Sequence, residues 1–152
     1  MNKQNKQRLD ALKLENQIER YPSIPPDYHP KTLWSDKTAN GLTKAIVSFI
    51  QFSGYQAERI NTMGVYREKK TTDGKLIGGS WTKGTSTKGS ADISATIRGR
   101  SVKIEVKVGK DRQSENQKQY QEAIERAGGV YLIARDFDSF VEWFDEFVKK
   151  YE

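Results

Sequence analysis

The chain has 152 residues, 35% of them hydrophobic and 30% charged, which suits one globular domain with a buried core. It has no cysteine, so disulfides and thiolate metal sites are excluded. The net charge of +6 favours a polyanionic partner, most simply nucleic acid, although a positive surface can also serve solubility alone. No apolar run approaches a membrane span, and the N-terminus lacks a signal-peptide core, so we expect a cytoplasmic protein with no membrane partner.

The first 34 residues are predicted to form an N-terminal helical appendage and a proline-rich linker, followed by the main domain over residues 35–152. An amphipathic helix is predicted over about residues 6–20 from the spacing of four apolar residues. These are Leu9, Leu12, Leu14 and Ile18. Three roles are open for this helix: it covers the domain, contacts a second subunit or touches DNA. All four prolines lie between Pro22 and Pro30, which predicts an extended segment where the single histidine, His29, is incidental.

A second helix is predicted to begin at the N-cap signal Ser35-Asp36 and to end at Gly54. Its apolar residues recur at helical spacing. They are Leu42, Ala45, Ile46, Phe49 and Ile50. A strand is predicted to follow over Tyr55–Thr62.

Residues 64–89 are predicted to form an irregular basic hairpin with Asp73-Gly74 in its turn. The window from 67 to 88 holds six lysines and arginines against two acids, and so supplies +4 of the net +6. Basic residues interleaved with Tyr66 and Trp81 suit contacts to a DNA backbone. Trp81 either stacks on a base or packs beneath the loop, and packing is the favoured interpretation.

We assign nucleic-acid binding to basic residues of this window, to a serine just after it and to a basic turn after residue 107. These residues are Arg67, Lys69, Lys70, Lys83, Lys88, Ser90, Lys110 and Arg112. The stretch over 83–88 lacks apolar residues and is predicted to be a loop.

The centre of the chain, from Ser90 to Lys107, predicts a β-hairpin. Two runs of alternating apolar and polar residues flank Arg98-Gly99, which suits a two-residue loop because glycine accepts a positive φ. Counting outward from this loop places Ile93 opposite Ile104. The apolar positions of one face are Ala91, Ile93, Ala95 and Ile97, then Val102, Ile104, Val106 and Val108.

On the other face, the same register places Asp92 opposite Glu105, with Lys107 on that face as well. Directly opposed carboxylates lie about 5 Å apart. Their repulsion is about 3 kcal/mol at an effective dielectric of about 20. A divalent cation between the two carboxylates relieves this repulsion, so the register predicts a metal site here.

Ser114 and Gln117 have the spacing of a capping box that begins a third helix. Gln117 also leads an inward stripe toward the hairpin, so it has both a capping and a functional interpretation, of which the functional one is favoured. The stripe contains Gln117, Tyr120 and Ile124, with Ala123 and Ala127 beside it. Gly128-Gly129 is predicted to end the helix, and Val130–Ala134 to form a short buried strand.

A final helix is predicted to be capped by Ser139 with Glu142. Its apolar face is interpreted as core or a dimer contact rather than a cofactor site. That face contains Phe140, Trp143, Phe144, Phe147, Val148 and Tyr151. The order of elements predicts the α/β class, with a mixed central β-sheet flanked by helices.

The spacing of Asp92 and Glu105-Val106-Lys107 resembles the active-site signature of the PD-(D/E)XK nuclease superfamily. The segment Gly89–Asp92 is similar to the strand that leads to the first metal ligand in that superfamily. The segments Ser114–Gln117 and Ala127–Tyr131 resemble the VRR-NUC and Holliday-junction-resolvase-like branches. The likeness extends from about Asp36 to Tyr151, and its specific part lies between Gly89 and Tyr131.

This resemblance implies a restriction-endonuclease-like core and a metal-dependent DNA endonuclease, a hydrolase of phosphodiester bonds selective for junction, flap or branched DNA. It implies that Asp92, Glu105 and the Val106 carbonyl hold Mg²⁺ or Mn²⁺. Lys107 would orient or activate water or stabilise developing charge, and Gln117 would position the nucleophile. No nucleotide cofactor is implied. Relatives that cleave junctions act as homodimers, and a role in phage or mobile-element DNA processing follows by analogy.

The chain departs from the family pattern in its second helix, where related nucleases often carry a metal-binding glutamate. The corresponding positions hold Asn40, Thr43 and Lys44. Asn40 could bind water or a phosphate, but an ordinary exposed helix residue is the favoured interpretation. Two other classes therefore stay open. One is an inactive nucleic-acid-binding module that keeps the nuclease fold, and the other is an interaction protein whose N-terminal helix binds a partner.

Overall fold

The computed structural model describes residues 1–60, 65–82 and 87–152 of the chain. Within these residues the α-helices are α1 (Lys3–Arg20), α2 (Ala39–Phe52), α3 (Glu115–Arg126) and α4 (Phe137–Lys150). The strands are β1 (Gln56–Arg59), β2 (Val65–Lys70), β3 (Leu76–Thr82), β4 (Ile93–Ile97), β5 (Arg100–Val106) and β6 (Val130–Ala134). A short 3₁₀ turn, Pro26–Tyr28, lies in the proline-rich segment. The described helices include none that is both long and apolar enough to cross a membrane.

Four strands form the central sheet in the order β1-β4-β5-β6. The first two pairings are antiparallel, whereas β5 and β6 are parallel and are joined through α3. The sheet is therefore mixed and accompanied by helices, which confirms the predicted α/β class. Strands β2 and β3 pair only with each other in the described sheets, as a separate two-stranded antiparallel ribbon.

The β4–β5 hairpin has the register predicted from its loop. Arg98 and Gly99 have φ angles of 51° and 73°, and two consecutive positive φ values are typical of the tight turn that matches strand twist. Ile93 pairs with Ile104 across the ladder. The apolar face of the hairpin is buried from Ala91 to Val106, whereas Val108, beyond the end of β5, is only partly buried. A shift by one residue would expose that whole face to solvent, so burial fixes the register.

Aromatic side chains of α2 and α4 form the centre of the core. Phe49 of α2 makes edge-to-face contacts with Phe137, Phe140 and Phe144, with ring centroids 5.6, 5.9 and 5.1 Å apart. Offset and edge-on pairs of this kind stabilise beyond the area they bury. The apolar face of α4 is therefore core, one of the two interpretations left open for it.

Helix α1 covers the domain, one of the three roles left open for it. Leu9 is fully buried in the same core as α2 and the sheet. The Arg8 guanidinium lies 4.9 Å from the centre of the Phe49 ring. It also forms a bidentate ion pair with Asp145 at 2.7 and 2.8 Å. Leu14 and Ile18, in contrast, are exposed. The domain boundary after residue 34 stays a prediction.

Two of the three predicted helix caps lie a few residues from their expected positions, whereas Ser114 caps α3 as predicted. Thr38, not Ser35-Asp36, caps α2 by accepting the Gly41 N–H at 3.1 Å. Asp36 instead accepts the distant Phe137 N–H at 3.3 Å. Asp136, not Ser139, caps α4. Several residues that can cap a helix lie close together at each site, so residue type and spacing alone do not select one of them.

Three further sequence expectations need correction. The strand predicted over Tyr55–Thr62 is shorter, because β1 covers only Gln56–Arg59, and positions 61 and 62 lie outside the described residues. Ala123 and Ala127 are exposed rather than inward-facing. The strand β6, expected to be buried, has only Ala134 buried, and its other four residues are partly exposed.

We predict that Leu9→Ala lowers the free energy of unfolding by about 2–5 kcal/mol, because Leu9 is 0% exposed in the core. Leu14→Ala is a matched control in the same helix, since Leu14 is 36% exposed, and it should change stability by less than about 1 kcal/mol. Urea denaturation of both variants measures the difference. Equal, small effects would mean that α1 does not belong to the core.

Candidate functional site

The candidate site lies where the start of β4 meets the ends of β5 and β6. Because β4 and β5 are antiparallel, Asp92, directly before β4, comes beside the last residues of β5. The Asp92 carboxylate accepts a hydrogen bond from the Val106 N–H at 2.9 Å. The main-chain carbonyl of Asp92 accepts one from the Ile60 N–H at 2.7 Å. Asp92 therefore ties three strands together just beyond the paired part of β4.

Glu105 is the most buried charged residue of the cluster, with its side chain 2% exposed. One carboxylate oxygen, Oε1, accepts hydrogen bonds from Lys107 Nζ at 3.1 Å and from Gln117 Nε2. The other oxygen, Oε2, is buried, and no group among the described residues donates to it. A buried carboxylate oxygen without a donor requires an explanation such as a water or an ion.

Lys107 lies between two acids. Its side chain is 8% exposed, and its ammonium is 3.4 Å from Asp111 Oδ2 as well as 3.1 Å from Glu105. Burial alone would lower the pKa of Lys107, but the bonds and charges of Glu105 and Asp111 outweigh burial and raise it. The lysine is therefore a firmly charged ammonium.

The surroundings of the Glu105 carboxyl, in contrast, disfavour its charged form. Burial raises its pKa, and the nearby negative charge of Asp92 raises it further, while the Lys107 ammonium opposes both effects. Asp92 accepts the N–H of Val106, the residue next to Glu105, so the two negative charges lie at the same end of β5 and oppose each other. This is the electrostatic situation predicted from the hairpin register, although Asp92 lies beyond the ladder instead of within it.

Gln117 caps α3 and also contacts Glu105 of the hairpin. Its side-chain oxygen accepts the Ser114 N–H at 2.8 Å and closes the capping box at the start of α3. Its side-chain nitrogen donates to Glu105. One amide can do both because its acceptor and donor ends are separate atoms.

Gly89 holds the start of α3 against the segment that leads to Asp92. A Cβ atom on Gly89 would lie 2.3 Å from the Asn116 carbonyl oxygen and 2.9 Å from the Gln117 nitrogen. The φ angle of Gly89 is +81°, which also favours glycine. This close approach fixes the distance between Gln117 and the strands.

Sequence reasoning did not assign Asp111 and Tyr131 to the site. Asp111 lies four residues after Lys107 in a loop, so its contact with the ammonium carries no strong sequence signal. Tyr131 lies on β6 opposite Lys103, with its hydroxyl buried. Burial and the charge of Glu105 raise the pKa of Tyr131 to about 12, so it stays neutral. Period-two counting from Glu105 through the parallel ladder could have placed Tyr131 on that face.

The predicted nucleic-acid contacts fall in two places. Arg67, Lys69 and Lys70 are exposed on β2, in the separate hairpin sheet. The others lie nearer the cluster in sequence: Lys88 is exposed, Ser90 bonds through its hydroxyl to the Thr87 carbonyl at 2.5 Å, and Lys110 and Arg112 are exposed around Asp111. Lys83 lies outside the described residues.

The start of α2 contributes no carboxylate to this end of the sheet. Asn40 is exposed, as interpreted, and accepts a hydrogen bond from Arg59 at 2.7 Å. Thr43 is buried and donates to the Ala39 carbonyl at 2.7 Å, while the Lys44 ammonium lies 5.7 Å from the Trp34 ring centre. Within the described ranges, no three Asp, Glu, His or Cys side chains group as metal ligands.

The cluster can hold one divalent cation through oxygen atoms. Asp92 and Glu105 supply hard carboxylate ligands, and Oε2 of Glu105, which has no donor among the residues that the structure describes, fits such an ion. Comparison of the chain with protein-family models, curated proteins and solved structures found no match.

We predict that Lys107→Met lowers the free energy of unfolding by about 3 kcal/mol at pH 8, because it leaves the buried Glu105 charge without its cation. The raised pKa of Glu105 means that protonation on acidification removes this charge from the folded state. The deficit should therefore shrink between pH 8 and pH 5. Urea titrations at both values measure it, and a deficit independent of pH would contradict the electrostatic explanation.

We predict that Gly89→Ala destabilises the protein by more than Gly54→Ala does. Both glycines have positive φ, +81° and +85°, but a Cβ at Gly54 meets no atom within 4 Å. Each substitution carries a backbone cost of about 1–3 kcal/mol, and Gly89→Ala adds the clash with α3. Thermal denaturation compares the two, and equal losses would mean that the contact with α3 is easily relaxed.

Proposed function

We propose that the protein is a metal-dependent DNA endonuclease that hydrolyses phosphodiester bonds on a restriction-endonuclease-like core. The observation that carries this proposal is the buried Glu105 carboxylate, which lies beside Asp92, bonds Lys107 at 3.1 Å and has an oxygen, Oε2, to which no group in the described part of the chain donates. The resemblance to the PD-(D/E)XK signature gives the same residues the same roles. A homodimer and a cytoplasmic location follow from that resemblance and from composition, and they stay predictions.

Asp92 and Glu105 are the proposed ligands of Mg²⁺ or Mn²⁺, with the Val106 carbonyl as a third oxygen. When bound, such an ion lowers the pKa of water and neutralises charge on the reacting phosphate. Asp92 uses one oxygen for the Val106 N–H, and this bond orients its carboxylate. Glu105 is oriented by Gln117, which makes Gln117 a positioning residue.

Lys107 is the proposed catalytic cation. Its ammonium stays charged because Glu105 and Asp111 raise its pKa. In this account it donates a hydrogen bond to the attacking water or to a phosphate oxygen as negative charge develops. The Lys107 ammonium donates to the Glu105 carboxylate. This contact neutralises the carboxylate and also holds the ammonium beside the proposed metal ligands.

The exposed basic residues are the proposed contacts to the phosphate backbone. Lys110 and Arg112 flank Asp111, which bonds the catalytic lysine, so they lie beside the cluster. Contacts of this kind position the nucleic acid without reading its sequence, and they make affinity depend on salt. A branched or flap substrate is proposed from the resemblance.

A second function, binding of nucleic acid without cleavage, has support in the same cluster. Lys107 and Gln117 already satisfy Oε1 of Glu105, and the start of α2 adds no third carboxylate. Such a module would bind DNA equally well with Mg²⁺ and with EDTA.

We predict that the protein cleaves DNA in Mg²⁺ or Mn²⁺ but not in EDTA, and that Asp92→Asn lowers the rate at least about 100-fold. Asparagine keeps an oxygen that can accept the Val106 N–H, so the variant tests the charge rather than the fold. Labelled linear, flap and four-way-junction DNA are the substrates, resolved by gel electrophoresis.

Glu142→Gln is the matched control, because Glu142 is an exposed acid on the outer side of α4 and should leave cleavage unchanged. Retained cleavage by Asp92→Asn would contradict the assignment of the site. Binding without cleavage under every condition would favour the non-catalytic module.

A further inference from the structure

The ribbon formed by β2 and β3 exposes two aromatic side chains on one face. Tyr66 and Trp81 are directly opposite in its ladder, and they are 56% and 65% exposed. The expectation that Trp81 packs beneath the loop is therefore wrong. Two large rings left in solvent on one small surface are typical of a binding site rather than a core.

The position of the Tyr66 ring is fixed by a glycine. A Cβ on Gly79 would lie 2.1 Å from the Tyr66 hydroxyl oxygen and 2.2 Å from ring atom Cζ. The ring therefore lies across the backbone of β3 at Gly79, two residues from Trp81 on the same face. A ring laid along the ribbon in this way leaves its outer face available for stacking.

The opposite face of the ribbon is basic. Arg67 and Lys69 point to that face, and the residues across from them are Ser80 and Gly78, which are too small to cover them. Over 65–82 the sequence has four basic residues against two acids. A positive ribbon with exposed aromatic rings matches a polyanion that carries flat apolar groups, which is a nucleic acid with unpaired bases.

We propose that the β2–β3 ribbon binds unpaired nucleotides, with Tyr66 and Trp81 stacking on bases while Arg67 and Lys69, on the opposite face, supply positive charge that attracts the phosphates. The proposal rests on the proposed function and narrows its substrate to DNA with single-stranded or unpaired bases, such as a flap or an open junction. In a regular duplex the bases are already stacked on one another, so the aromatic face gains nothing there. Phosphate contacts, in contrast, are available on both kinds of DNA.

The test measures binding by fluorescence anisotropy in EDTA, so that cleavage plays no part. Labelled single-stranded, flap and blunt duplex DNA of equal length are titrated with the full chain and its variants. Trp81→Ala and Tyr66→Ala should each weaken binding to single-stranded and flap DNA about 10-fold and change duplex binding less than about 3-fold. Trp81→Phe should keep most of the affinity because it keeps a ring, and Ile77→Ala, an exposed apolar control on the same ribbon, should have no effect.

Equal losses on duplex and single-stranded DNA would overturn stacking, and so would unchanged affinity in both alanine variants. A shift from dimer to monomer in Trp81→Ala, seen by sedimentation without a change in DNA binding, would also overturn the proposal, because the face would then contact protein. Failure of the nuclease assignment is seen separately. If only the nuclease assignment fails, cleavage is absent, but the flap preference and its loss in Trp81→Ala remain. If only the ribbon proposal fails, cleavage still depends on Asp92, but the flap preference is missing.

Discussion

The buried charge of Glu105 is the constraint on which the candidate site depends. A carboxylate at the end of β5 is removed from water and faces a second carboxylate, and both effects raise its pKa. Two groups offset this effect at Glu105: the buried ammonium of Lys107 and the side-chain amide of Gln117. The Val106 N–H donates a hydrogen bond to the Asp92 carboxylate. Such an arrangement is a weak means of stabilising a fold, because hydrophobic residues of similar volume often serve as well or better. A buried charge of this kind therefore fits the proposed metal site better than a purely stabilising role.

The fold brings these groups together through a few local devices. The tight turn at Arg98-Gly99 sets the register, and the register places Asp92 beside the last residues of β5. The glycine at 89 lets the start of α3 approach the same end, so that one glutamine caps the helix and orients Glu105. A change of register by one residue would place the carboxylates on the buried apolar face.

Features governed by neighbouring residues could be predicted from the sequence. The hairpin register, the capping box and the helical face of α4 follow from alternation, loop length and spacing, and the structure agrees with them. Features governed by distant contacts could not. Burial of Leu9 depends on where α1 docks, and Asp36 is diverted from its capping role by the Phe137 N–H, 101 positions away. The exposure of Trp81 depends on whether its ribbon joins the central sheet, which local pattern does not decide.

The central claim is that Asp92 and Glu105 together bind a divalent cation, and direct titration of Mn²⁺ followed by electron paramagnetic resonance tests it without any substrate. We expect a saturable Mn²⁺ site in the unaltered protein that is lost in Glu105→Gln and retained in Glu142→Gln. Equal Mn²⁺ binding by all three proteins, or none by any of them, would contradict it and leave Glu105 and Lys107 as a buried structural pair.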